Sequence, residues 1–208
     1  MPKKKVTEHE IREKLKDWAS LFTELEQTND RAMAILCGAF LDEILALLLQ
    51  GFLVEGSPAT NGLFDADRPL GTYSAKIQLA HALGLITDDE YNDLDTIRKV
   101  RNRFAHALQG LSFTDDSITD LCKNLKMSKL RKKHISDSMT SRQHFDFAFK
   151  MLMIELTQRE RHIEDVRRVS LSNEHTLIGD KSLFRLTDAM DMMLSSRHPS
   201  NEATSSEN

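Results

Sequence analysis

The chain has 208 residues, 40% of them hydrophobic and 29% charged, which suits one ordinary globular domain with an arm and a tail. Glycine (8) and proline (4) are scarce and alternating runs of Val, Ile and Thr are absent, so composition argues against a sheet and for an all-α protein. A formal net charge of -4 excludes a general attraction for polyanions, and any nucleic-acid contact would need a local basic patch.

The opening, MPKKKVTEHEIREKLK, is basic but lacks the apolar core of a secretory signal. Ile11, Leu15, Trp18, Phe22 and Leu25 recur at helical spacing, which predicts an amphipathic helix over 8–27. Asn29 or Asp30 then caps a helix that runs to about Val54 and is apolar nearly all round. Its core, residues 32–54, is long enough to span a bilayer. Asp42 and Glu43 would sit near the middle, however, and an Asp there costs roughly 2.5–3.5 kcal/mol, so a buried central helix is expected and no membrane span. Cys37 and Cys122 are far apart and outside any C-x-x-C pair, which points away from disulfides and zinc and towards a reducing cytoplasm.

Residues 56–71, GSPATNGLFDADRPLG, have loop chemistry. A third helix is predicted from Ser74 to Leu83, closed by Gly84 in a left-handed cap. Thr87 and Glu90 have capping-box spacing and open a fourth helix to about Leu108. Asp88, Asp89, Glu90, Asp93 and Asp95 fill its start and Arg98, Lys99, Arg101 and Arg103 its end, the order that suits the helix dipole. Phe113 to Cys122 reads as a short helix opened by Thr114, Asp115 and Asp116. A weakly periodic basic stretch follows over 123–138, then a long helix from Thr140 to Arg168 with Phe145, Phe149, Leu152, Met153 and Leu156 on its apolar face. A last short helix is expected over 180–194, with Met190, Met192 and Met193 filling core and an adaptable docking surface as the functional alternative, and a disordered tail beyond it. The expected layout is an N-terminal helix in 1–28, a helical core in 29–170 and a short helix with flexible tail in 171–208.

The turn LAHALGLITDDEYNDL superficially reads as helix-turn-helix. Yet Asp88, Asp89, Glu90 and Asp93 would meet the phosphates, so direct sequence-specific DNA reading is not expected. The hexapeptide RNRFAH, 101–106, is the main chemical feature. At about 100° per residue, Leu94, Ile97, Val100, Phe104, Ala105, Ala107 and Leu108 form an apolar arc that contains Arg101. A buried guanidinium needs a carboxylate, and Asp42 or Glu43 is the expected partner. Asn102 and His106, four apart, share a face at the edge of the arc. The basic stretch with Lys123, Lys126, Lys129, Arg131, Lys132, Lys133 and His134 reads as a solvated loop, with phosphate or acidic-partner contact as the functional alternative. No histidine pair at metal spacing, Gly-rich phosphate loop or nucleophile elbow is present, so neither a metal nor a cofactor is expected.

Arg101, Asn102 and His106 also resemble the R-x(4-6)-H signature of HEPN ribonucleases. That resemblance implies metal-independent RNA cleavage, with Arg101 stabilising the phosphorane, Asn102 positioning the phosphate and His106 as general acid or base; dimerisation would set two motifs face to face. A longer likeness spans residues 29–120. PLG-x-x-S at Pro69 to Ser74, LGLI at Leu83 to Ile86, the pair Glu90 and Tyr91, and the arginine-to-histidine segment resemble the mannitol operon repressor (MtlR) family. It implies an all-α fold and repression of a sugar-alcohol operon in bacterial cytoplasm, through a protein partner and not a DNA-binding motif of its own. A related branch has been assigned fumarase activity, a dehydration chemistry that these residues do not suggest.

Overall fold

The computed structural model describes residues 20–55, 60, 62–108, 110–130, 138–163 and 166–168, and among them every regular element is helical. Residues 20–27 form α1, the C-terminal part of the predicted first helix; Ile11, Leu15 and Trp18 lie outside the described residues. So do Arg131 to His134 of the basic stretch, the expected helix over 180–194 and the tail. The described helices all belong to a compact unit that ends at Arg167.

The central helix, α2 (Asp30–Phe52), starts where Asn29 accepts a hydrogen bond from the Ala32 amide at 2.9 Å. Met33, Cys37, Leu41, Leu45, Leu48, Leu49 and Phe52 are buried along it. By length and hydropathy α2 could cross a membrane, but it packs inside the bundle, chiefly against α6 (Ser141–Ile163) and α4 (Asp88–His106). Between α2 and α3 (Tyr73–Ala82), the chain folds back so that the Leu70 amide bonds the Leu63 carbonyl at 2.9 Å. Gly71 permits that fold: a Cβ there would lie 2.3 Å from the Asp65 carbonyl oxygen and 2.7 Å from that of Ala66.

Gly84 closes α3 with φ +69°, the left-handed conformation expected of it. The Leu85 amide reaches back to the Ala80 carbonyl at 2.8 Å. Thr87 and Glu90 make the predicted capping box in both directions, at 3.3 and 2.7 Å. Several boundaries differ from expectation, and the long helix expected to reach Arg168 ends at Ile163. α4 ends at His106, and Leu108, placed by periodicity in the apolar arc, is 95% exposed beyond the helix. α5 runs Asp116–Lys123, and Asp115 gives it no side-chain cap because its carboxylate turns back onto Ser112, at 2.7 Å to the amide and 2.9 Å to the hydroxyl.

A 3-10 turn, Met127–Leu130, leads from α5 towards α6. Phe104 of α4, Phe113 of the loop and Phe145 of α6 stack in sequence, with centroids 5.1 Å apart at each step, and join the α4 end to the core. Two arginines fasten helix ends. Arg142 of α6 pairs with Asp30 and donates to the carbonyls of Leu25, Glu26 and Thr28 at the end of α1. Arg159 grips both oxygens of Glu90, at 2.9 and 3.0 Å, and the Leu85 carbonyl.

Candidate functional site

The hexapeptide 101–106 occupies the last turns of α4. Phe104 is its buried residue, 1% exposed, and anchors the helix end. Arg31 of α2 donates to the carbonyls of Phe104 (3.0 Å), Ala105 (3.5 Å) and Ala107, so a side chain from another helix closes the α4 terminus.

Arg101 is where the structure departs from the sequence expectation. It is exposed, and its Nη1 donates to Asn102 Oδ1 at 3.0 Å; no carboxylate pairs with it among the described residues. The physical reason lies on α2. Gly38 has no side chain, and the aliphatic stem of Arg101 lies across it, with Cγ 2.8 Å from where a Cβ would stand. The stem covers apolar surface while the guanidinium reaches water. The carboxylate proposed for it is taken: Asp42 accepts from Lys76 Nζ at 2.7 Å, and Lys76 is 7% exposed. Glu43 faces solvent. The buried cation that Asp42 neutralises is thus a lysine of α3, not the arginine of α4.

Asn102 is half-buried and His106, the last residue of α4, is exposed. Arg103 donates to the Ser117 carbonyl at 2.5 Å. Arg98 and Lys99 share Asp95, at 2.7 and 2.8 Å. Burial would raise the Asp95 carboxyl, but the bonds from Lys99 and Arg98 outweigh it and hold that pKa below the ordinary value. The segment therefore presents Arg101 and His106 to solvent, with Asn102 half-buried between them. Among the described residues no His, Cys, Asp and Glu cluster could hold a metal ion.

The acids at the start of α4 divide by role. Asp88 and Asp89 are exposed, and Asp88 pairs with His81 at 2.7 Å. Glu90 and Asp93 are buried. Asp93 accepts from the Lys126 and Met127 amides, both at 2.7 Å, and so pins the basic 3-10 turn to α4. Burial pushes its pKa up against those two bonds. Sequence spacing assigned Glu90 to the capping box and Asp93 only to the helix dipole; the long-range acceptor role of Asp93 has no local signal.

Both thiols are free and buried, Cys122 pushed by desolvation up to about 12 and Cys37 higher still. Reactive-cysteine chemistry needs accessible thiolate, which burial here suppresses.

The family model described as "Mannitol repressor" matches residues 8–174. The chain belongs to the mannitol repressor family. Curated relatives are the mannitol operon repressors of Escherichia coli strains K12 and O6:H1, each 37% identical over 60 residues. That stretch is 29% of this chain and 31% of each relative, so the chain matches only about a third of the length of the curated repressors. A chain in the X-ray structure of the MtlR-HPr complex from Escherichia coli has a TM-score of 0.50 and 21% identity, covering 70% of this chain and 97% of that one. The likeness shows that the helical fold is shared. The mannitol repressor fold thus accounts for the bundle built around α2, as the sequence resemblance implied.

Proposed function

We propose that this chain is a cytoplasmic regulator that represses a sugar-alcohol operon through contact with a partner protein. The observation that carries the reading is the family match over residues 8–174. The fold neighbour was solved as a complex with HPr, which makes HPr the first partner to test. The geometry supports protein contact over DNA reading. The α4 start, which a helix-turn-helix would aim at phosphates, exposes Asp88 and Asp89, and commits Glu90 and Asp93 to internal contacts. Titration of purified Escherichia coli HPr into this protein by calorimetry is expected to give saturable heat. A flat titration through about 100 μM, a concentration at which about 1 μM affinity would saturate, rejects HPr as partner.

A second reading rests on the exposure of Arg101 and His106 and on the bond that sets Arg101 on Asn102. It is a HEPN-like ribonuclease with those three residues in the roles given above. Labelled RNA incubated in EDTA would be cleaved by the wild type and spared by His106→Ala; intact RNA in both removes this reading.

A further inference from the structure

Residues 125–128, the described start of the basic stretch after α5, are held more firmly than a solvated loop requires. Asp93 accepts the Lys126 and Met127 amides at 2.7 Å each, from beneath. Ser128 donates to the Leu125 carbonyl at 2.8 Å and so leaves its oxygen to accept from His144 Nδ1, 3.0 Å away. Leu125 and Met127 point into the core, and Ser128 and His144 are buried. A buried carboxylate is costly unless its bonds are good, and here its bonds fix the backbone of one turn.

The end of α5 and the turn after it face water with Lys123, Lys126 and Lys129, all exposed. None of the three is ion-paired among the described residues, whose ion pairs include those on Asp30, Asp42, Asp95 and Glu90. Asp120 on α5 is also exposed and tempers the local charge without pairing with it. We propose that this lysine turn is a sequence-blind contact for the phosphate backbone of double-stranded DNA.

The chemistry of the face chooses between polyanions. Cores of protein interfaces are rich in aromatic residues, Met and Arg and poor in Lys, because lysine is strongly hydrated and costly to immobilise. Here the apolar residues Leu125 and Met127 are turned inward and the outward groups are ammonium point charges, which suit phosphates that stay hydrated. The overall charge of -4 keeps such a contact weak and local. A repressor without a reading helix would gain from it a hold on the duplex, while specificity came from its partner.

The test is fluorescence anisotropy with a short labelled duplex of arbitrary sequence. Three phosphate contacts give a log-log salt slope of about -2.7, so affinity should fall about 40-fold between about 50 and about 200 mM salt. The variant Lys123→Ala/Lys126→Ala/Lys129→Ala should reduce the slope by about 2.7 whatever else in the chain contributes, and Lys126→Ala alone by about 0.9. Because the three side chains are exposed, the triple variant should melt as the wild type does, which a thermal scan verifies. No binding at the lower salt, or an unchanged slope in the triple variant, overturns the proposal. So does tighter binding of poly-glutamate than of the duplex, which would assign the turn to an acidic protein.

Discussion

Replacing Glu90 by alanine tests how one residue serves both a local and a tertiary role. Its Oε2 accepts the Thr87 amide at 2.7 Å, and its two oxygens take Arg159 at 2.9 and 3.0 Å. The carboxylate is 3% exposed and Arg159 29%. Loss of a capping bond costs about 1 kcal/mol. Breaking a buried pair costs about 3–5 kcal/mol, discounted here because Arg159 can turn to water, so a combined loss of about 3 kcal/mol is expected. For a chain of this size that lowers Tm by about 6–12 °C. Urea and thermal unfolding followed by circular dichroism measure it, and a double-mutant cycle with Arg159→Ala isolates the tertiary part, expected at about 1.5–3 kcal/mol. If Glu90→Ala costs under about 1 kcal/mol, or the two substitutions add, the carboxylate is only a cap and α6 is held to α4 by apolar packing alone.

Arg101→Ala should leave stability within about 0.5 kcal/mol, since the guanidinium is already in water, whereas Asp42→Ala strands the buried Lys76 and should cost about 3 kcal/mol; the same denaturation curves decide, and the reverse order would restore the buried arginine. Gly71→Ala should destabilise by at least about 1–3 kcal/mol, because its Cβ meets backbone oxygens that cannot rotate away; wild-type melting would refute the close approach. The raised Asp93 carboxyl gives a pH signature. Between its folded pKa and the ordinary 3.8 the native state binds more protons than the unfolded chain, so acidification through that window relieves the burial penalty. Asp93→Asn lacks that gain, and its stability deficit relative to wild type should widen as pH falls through the window; a constant deficit in melts across pH would show that Asp93 is not desolvated.

Local rules made much of the fold legible. The Thr87–Glu90 box, the left-handed Gly84 and the Asn29 cap depend on residues within a turn of each other, and all three occur as the sequence implies. The apolar face of α6 follows from period alone, with Phe145, Phe149, Leu152, Met153 and Leu156 all buried. The candidate site was read less well. Periodicity placed Arg101 in the apolar arc, which is correct for its Cβ and stem; it says nothing about where so long a side chain ends.

The sequence by itself determined helix positions, the burial of α2 despite its two acids, and the acidic start that makes α4 a poor phosphate reader, because these rest on spacing and on charge near the backbone. Tertiary structure decided which charge meets which: Asp42 with Lys76, Glu90 with Arg159, Arg31 on the α4 terminus and Asp93 on the lysine turn. Those pairings join residues 33 to 76 positions apart in sequence. A carboxylate's choice among several cations is set by which helix faces pack together and by where a glycine such as Gly38 lets one stem slip past, and neither can be computed from the order of residues along a single helix.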